Sequence, residues 1–465
     1  MKRIIIEDFC NARKLALLEE DKLTKLIIED KFKDGLVGNI YRGRVHKVVK
    51  GMDACFVDIG LEEPAYMKIK RGQSTCVGDL ILVQISKSAK GDKRVSLTRE
   101  VSIQGRYMVY IPSNDKISYS NKLTKSQVLD LKSKIEELGV TGNRGLIVRT
   151  EAGLASIDDL KDDFNILRNS YERLEESFKS SLSPGLIKRA KGQIETFIGY
   201  NLDKDLEAVV YPQDMDVDFN NGAAESLDKL DIRAIVKSID RSYLGRLVRD
   251  KNPATFSNHG VNARLTSYLS NKIRLRNGSY IVIDKTEAMT VIDVNSGRYI
   301  GSANYANTVI DVNMGLVDEI ARQILMRDLS GIIIVDFIDM KSEKDREDLI
   351  RKMNRALGAD GKNTKVHGFT RLGLLEISRR RSQDSFESYY YSHESRDYYS
   401  ANRLVDLVEE EAINHIYHDL IKDDEEKSLV IEMEAGKYKR LMAEKKEVIG
   451  QIEDKYGLVI EFRPV

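Results

Sequence analysis

The chain has 465 residues, more than one hydrophobic core usually holds, so several domains are expected. Hydrophobic residues at 42% and charged residues at 32% are ordinary for a soluble, rather charged globular protein, and the formal charge of +0 gives no overall pull toward polyanions. Cys10, Cys55 and Cys76 are odd in number, widely spaced and in no metal-ligand pattern, which excludes a disulfide framework and fits a reducing, cytoplasmic setting.

Residues 1–38 read as strands, with Ile4-Ile5-Ile6 and Lys25-Leu26-Ile27-Ile28-Glu29, and are too short to fold alone. Glu7 and Asp8 cut the first apolar run short, so neither a signal peptide nor a membrane span is expected. Residues 39–99 read as a small barrel. Ile40–Val45, Ala54–Ile59 and Leu80–Ile85 are strand-like, and Gly51, Gly60, Gly72, Gly78 and Gly91 mark turns. Short strands with regular turns and scattered basic and aromatic residues fit an OB-type fold. Phe56 and Tyr66 are candidates to stack on unpaired bases, with Lys93 or Arg94 on phosphates; for Phe56 alone, a core position is the competing reading.

Residues 100–205 form a second unit containing Gly105-Arg106-Tyr107-Met108-Val109 and Gly145-Leu146-Ile147-Val148-Arg149-Thr150. Arg149 has the fork for phosphate oxygens, Thr150 a hydroxyl, and Gly105 no side chain to block a close approach. From Ile157 onward the pattern is helical, with Leu160, Leu167 and Leu174 recurring. Asp214-Met215-Asp216-Val217-Asp218 reads as a solvated strand edge rather than a cation site.

The most informative runs follow. Thr290-Val291-Ile292-Asp293-Val294-Asn295 and Ile332-Ile333-Ile334-Val335-Asp336-Phe337-Ile338-Asp339 are apolar, β-branched strands that each deliver an aspartate. Between them Val317–Leu325 carries apolar residues at helical spacing, ended by Ser330-Gly331. Strand, helix, strand is a crossover unit, so the two strands are expected to be parallel, with both aspartates at one edge. Ligands bind at the carboxyl ends of such strands, and two aspartates there suit a hard divalent cation such as Mg2+. Asn295, two residues beyond Asp293, shares its face and is placed to orient a carboxylate. The helix after Asp336 has its own cap at Ser342, so Asp336 and Asp339 are not needed for capping.

Residues 382–402 hold a tyrosine-rich stretch, Glu387 to Tyr399, with His393 and no cysteine. Residues 403–465 begin with an acidic helix and close with strand, helix, strand; His415 and His418 there read as solvated surface.

Gly278–Ala288, the first aspartate run, Glu319-Ile320-Ala321-Arg322-Gln323, the second aspartate run and Arg371-Leu372-Gly373-Leu374-Leu375-Glu376 together resemble the catalytic core of the bacterial ribonuclease E/G family, in its shorter, G-like form. The resemblance implies a multidomain α/β and α+β protein. A ribonuclease-H-like domain (1–38 plus 206–277) would carry an inserted OB-type RNA-binding barrel (39–99) and a 5′-monophosphate sensor (100–205). A deoxyribonuclease-I-like catalytic domain (278–381), a linker (382–402) and a small α/β domain (403–465) would follow. It implies a cytoplasmic endoribonuclease acting on single-stranded RNA in rRNA processing or mRNA decay, with Mg2+, or Mn2+ in its place, held by Asp293 and Asp336 and supported by Asn295. Phe56 and Tyr66 match RNA-contacting aromatics, and Gly105, Val109, Arg149 and Thr150 match the sensor. Two departures stand out. Ser118-Tyr119-Ser120-Asn121 lacks an arginine pair often found there, and the linker lacks the family's Cys-Pro-x-Cys motif. No zinc is therefore expected, and a homodimer would rest on the tyrosine cluster. The rival readings are an RNA-binding scaffold without nuclease activity and a nuclease acting on DNA.

Overall fold

The computed structural model describes the chain apart from residues 33–35, 71–73, 88–93, 121–122, 140–144, 216–230, 287, 298–304, 359–363, 381–385, 392–398 and 420–427. Lys93, His393 and the acidic positions 216–218 lie outside the described residues. The chain divides into two units, Met1–Phe32 with Asn201–Val465, and Lys33–Tyr200.

The N-terminal runs form an antiparallel meander, β1 (Lys2–Asp8), β2 (Ala12–Glu19) and β3 (Lys22–Asp30). Glu20 and Asp21 make the two-residue turn between β2 and β3, both with positive φ (49° and 60°), as the right-handed strand twist requires. Ile4, Ile5 and Ile6 are all buried, so β1 is covered on both faces.

The second unit opens with β4 (Ile40–Val49), β5 (Ala54–Asp58), β6 (Ala65–Lys68), β7 (Leu80–Lys87) and β8 (Ser96–Thr98). They pair in the order β4-β5-β6-β8-β7, and β7 returns to β4, closing a five-stranded OB-like barrel. Val45, Cys55, Val57, Met67, Val83 and Ile85 fill it. A Cβ on Gly43 would lie 2.4 Å from a Val57 methyl, so the barrel needs glycine there. Next come β9 (Ile103–Gln104), β10 (Met108–Ile111), β11 (Ile117–Tyr119), α1 (Lys125–Glu137), β12 (Gly145–Val148), α2 (Ile157–Lys179), β13 (Gly185–Lys188) and α3 (Gln193–Asn201). The sheet β11-β12-β10-β9 buries Met108, Tyr110, Leu146 and Val148 against Leu131 and Ile135 of α1 and Leu160, Phe164 and Leu167 of α2.

The first unit resumes with β14 (Leu206–Pro212), α4 (Ile232–Ile239), β15 (Leu247–Asp250), α5 (Thr255–Asn258) and α6 (Val261–Leu269). β14 pairs with β1 and β15 with β14, both in parallel, giving the order β15-β14-β1-β2-β3. A second mixed sheet follows, with β16 (Lys272–Arg274), β17 (Tyr280–Lys285), β18 (Met289–Asn295), α7 (Tyr305–Met326), β19 (Gly331–Asp336), α8 (Glu343–Leu357), β20 (Lys365–Phe369) and β21 (Leu375–Arg379). Its order is β16-β17-β18-β19-β21-β20, and only β18 and β19 run parallel. Both helices cover one face. Ile281, Ile283, Ile292, Val294, Ile333 and Val335 meet Val312, Leu316, Val317, Ile320 and Ile324 of α7 and Leu349, Met353 and Leu357 of α8. Each such side chain contributes about 1.5–3 kcal/mol by burial. α7 starts at Tyr305, well before Val317, where the helical spacing becomes legible; Asp311, Asn313 and Gly315 interrupt the apolar pattern of its first half.

The chain ends in α9 (Glu387–Tyr390), α10 (Ala401–Asp419), β22 (Ser428–Met433), α11 (Ala435–Tyr456) and β23 (Val459–Pro464), with β22 and β23 parallel. Leu404, Val405, Val408 and Ala412 of α10 pack on Leu441, Val448 and Ile452 of α11. Among the described residues no helix is long and apolar enough to cross a membrane.

Candidate active site

β18 and β19 lie side by side with Asp293 in register with Asp336, at the ends where both strands finish. Strand alternation turns Ile292, Val294, Ile333 and Val335 into the core and leaves Asp293 and Asp336 exposed on the opposite face. Asn295 Nδ2 donates to Asp293 Oδ2 (2.7 Å), so the two polar residues on that face of β18 act together. Partial desolvation, then the charges of Asp293 and Asp339, push the Asp336 carboxyl above its usual range. Two carboxylates that repel at a strand edge offer oxygen donors only, and fit a hard divalent ion that keeps most of its waters. Among the described residues no group of three or more His, Cys, Asp or Glu gathers as a closed metal site. Ser342 caps α8 by accepting from the Asp345 N–H (3.4 Å), leaving Asp336 and Asp339 free of that task.

In the other unit, Arg149 directly follows β12 and Thr150 begins a short 3-10 turn. Arg149 N–H donates to the Tyr107 carbonyl (2.9 Å) and its Nη1 to the Gly105 carbonyl (3.4 Å), while Thr150 Oγ1 lies 2.9 Å from Ser120 Oγ. Gly105, Arg149 and Thr150 therefore gather at one place, and Val109, half-buried on β10, pairs with Ile147 of β12. Packing alone also demands glycine at 105. A Cβ there would sit 2.5 Å from an Asp163 carboxylate oxygen. That carboxylate accepts the backbone N–H groups of Arg106 (3.0 Å), Tyr107 (2.8 Å) and Met108 (3.0 Å). Burial pushes the Asp163 carboxyl up, against the pull of those three donors and of Arg149.

On the barrel, Cys55, Val57, Ala65 and Met67 point inward, while Phe56 and Tyr66 face outward, half-buried and opposite each other in register. Their rings meet edge to face at 6.2 Å, and the Arg94 guanidinium lies 5.1 Å from the Phe56 ring centre while pairing with Glu63 (3.2 Å). The core reading of Phe56 is thus excluded by the strand's own alternation.

The model of the ribonuclease E/G family matches residues 102–382. The chain belongs to the ribonuclease E/G family. Ribonuclease G of Haemophilus influenzae is 31% identical over 411 residues, covering 81% of this chain and 79% of that protein. Ribonuclease G of Escherichia coli (strain K12) is 29% identical over 400 residues, covering 80% and 78%. Ribonuclease E of Haemophilus influenzae is 27% identical over 495 residues, spanning 100% of this chain and 51% of its own length. Asp293, Asn295, Asp336, Gly105, Val109, Arg149 and Thr150 fall inside the ribonuclease E/G match; Phe56, Tyr66 and Arg94 fall outside it.

The tyrosine cluster expected at a homodimer surface is divided in its burial. Tyr389 and Tyr390 are 7% and 4% exposed, packed with Ile5, Phe256 and Met326 of the same chain. Tyr399 of the same stretch is 40% exposed. Tyr391 and Tyr399 stack with ring centres 6.2 Å apart and form a β-bridge. Two residues that sequence reading passed over are Asp163 and Asn313. Each is a buried polar side chain within an apolar helical stripe, Leu160-Asp163-Phe164-Leu167 and Val309-Val312-Asn313-Leu316. A polar residue at a core position of a helix was the available signal, because such a group is retained only with partners.

Proposed function

We propose that this endoribonuclease hydrolyses single-stranded RNA at the Asp293–Asp336 pair, with bound magnesium, and favours substrates carrying a 5′-monophosphate. The observation that carries the reading is the register of Asp293 with Asp336 on adjacent parallel strands, with Asn295 holding Asp293. When bound, magnesium, or manganese in its place, would supply a water of lowered pKa and positive charge near the phosphorane oxygens. Asp293 and Asp336 would each offer a carboxylate to it, and Asn295 would keep Asp293 turned toward its neighbour. Water oxygen joins phosphorus and the P–O3′ bond breaks, leaving a 5′-phosphate and a 3′-hydroxyl.

The outward rings of Phe56 and Tyr66 would stack on bases, with Arg94 and Lys93 near the backbone phosphates. Arg149 and Thr150, beside Gly105 and Val109, would hold the terminal phosphate by charge-assisted hydrogen bonds. The five-strand sheet of β1–β3, β14 and β15 would be the ribonuclease-H-like domain carrying barrel and sensor, and residues 278–381 the deoxyribonuclease-I-like catalytic domain. RNA processing and decay are the processes this activity would serve. The test is incubation of unstructured RNA, 5′-monophosphorylated or 5′-hydroxyl, with Mg2+ or with EDTA. Internal cuts that need Mg2+ and run faster on the monophosphate support the reading; cleavage unaffected by EDTA removes it.

A further inference from the structure

We propose that Asn313 is a positioning residue for the carboxylate centre, its side-chain amide fixing the loop that follows Asp336 and carries Asp339. The proposal rests on the reading of Asp293 and Asp336 as the metal-binding pair. β19 ends at Asp336, and residues 337–342 have no regular structure before α8 begins. Backbone N–H and C=O groups in such a loop need partners wherever water is excluded. Phe337 and Met340 anchor it by burial, at 4% and 6% exposure. Between them, the Ile338 N–H donates to Asn313 Oδ1 (3.2 Å), and Asn313 Nδ2 donates to the Ile338 carbonyl (2.7 Å). One amide thus satisfies both backbone groups of one residue. A carboxylate lacks the donor and a hydroxyl lacks the span, so this double contact selects a primary amide. Farther along, Arg346 Nε donates to the Met340 carbonyl (3.0 Å). Residue 339 is held between two tethered neighbours, and Asp336 stands two residues before the clamp.

Asn313 itself is fully buried on α7, in the stripe of Val309, Val312 and Leu316. An apolar residue there would serve helix packing better, since Asn buries polar atoms and lowers helix propensity. What the amide adds is a single conformation for the loop beyond Asp336. Groups that orient metal-binding side chains in this way typically change metal affinity by about 10- to 100-fold when removed.

The test uses the full-length protein without RNA and Mn2+ as the probe. Binding is read by electron paramagnetic resonance, alongside thermal unfolding. Asn313→Leu removes both hydrogen bonds; Asn313→Asp keeps the shape and the acceptor. Lys352→Met is the control, because Lys352 Nζ ties the same helix to α8 through the Met314 carbonyl (2.9 Å) and Asp318 (2.9 Å). Both Asn313 variants should raise the Mn2+ dissociation constant about ten-fold or more. Lys352→Met should lower the melting temperature without that shift. Unchanged Mn2+ affinity in the Asn313 variants overturns the proposal, even when they melt earlier. Should Asn313→Leu fail to fold, Asn313→Asp decides. Asp293→Asn separates the two ideas: if it leaves Mn2+ binding intact, the metal reading falls and the proposal with it. If it abolishes binding while the Asn313 variants bind normally, the positioning role alone falls.

Discussion

Lys14 and Asp406 form a buried ion pair across 392 residues of sequence, with Nζ 2.6 Å from Oδ2. Glu7 lies on the other side of Lys14 at 3.2 Å, and the Tyr389 hydroxyl donates to the second Asp406 oxygen (2.8 Å). The cluster joins β1 and β2 to α10. Burial pushes the Glu7 carboxyl from its usual 4.5 up to about 7, against the opposing pull of Lys14. The folded state therefore holds this proton more tightly than the unfolded chain does. The contribution of Glu7 is fully present below about pH 4.5 and is lost as pH rises through about 7. Glu7→Gln should gain stability relative to wild type between pH 5 and pH 7.5, roughly flattening that part of the profile. Urea unfolding at the two pH values checks this, and a pH-independent difference would show that Glu7 does not carry the proton.

Asp293→Asn and Asp336→Asn should each lower cleavage by at least about a hundred-fold, since metal-borne charge stabilisation is worth several kcal/mol and each 1.36 kcal/mol is tenfold. RNA affinity should change little, because the proposed RNA contacts at Phe56, Tyr66 and Arg149 are untouched. Near-wild-type turnover in either variant removes the catalytic assignment.

Phe56→Ala and Tyr66→Ala should weaken binding of unstructured RNA by about 1–3 kcal/mol per stacked base. Both rings sit outside the barrel core, so the melting temperature should hardly move. A large drop in melting temperature with unchanged affinity would falsify the stacking role.

Arg149→Ala should narrow the rate difference between monophosphorylated and 5′-hydroxyl RNA by removing a charge-assisted fork. Gly105→Ala should do the same by another route, since its methyl would meet the Asp163 carboxylate at 2.5 Å and displace the turn. Competition between the two RNAs measures the preference, and a ratio unchanged in both variants rules out this sensor.

Elemental analysis of the purified protein should find no stoichiometric zinc. Cys10 and Cys55 are buried, Cys10 at the N-terminal strands and Cys55 in the barrel wall, and the linker has no thiolate to offer. A zinc chelator should leave the oligomeric state unchanged. Finding about one zinc per two chains would point to an unforeseen ligand set.

That Asp293 and Asp336 belong at one edge of a sheet was readable from the chain alone; that they stand in register on neighbouring strands was not. Two β-branched runs joined by a helix make a crossover unit and so run parallel, and the two-residue period of a strand then sends Asp293 and Asn295 to one face. The outward turn of Phe56 follows from the same period once Cys55 and Val57 are known to be core. What the sequence determined was this local periodicity and the order of elements. Only the tertiary structure decided that Asn313 meets Ile338, that Asp163 fills the space at Gly105, and that Tyr389 and Tyr390 are buried inside the chain. Those contacts join segments tens to hundreds of residues apart. Their partners are chosen by which apolar faces bury against each other, and a single polar residue in a helical stripe reveals that it needs a partner without revealing which one.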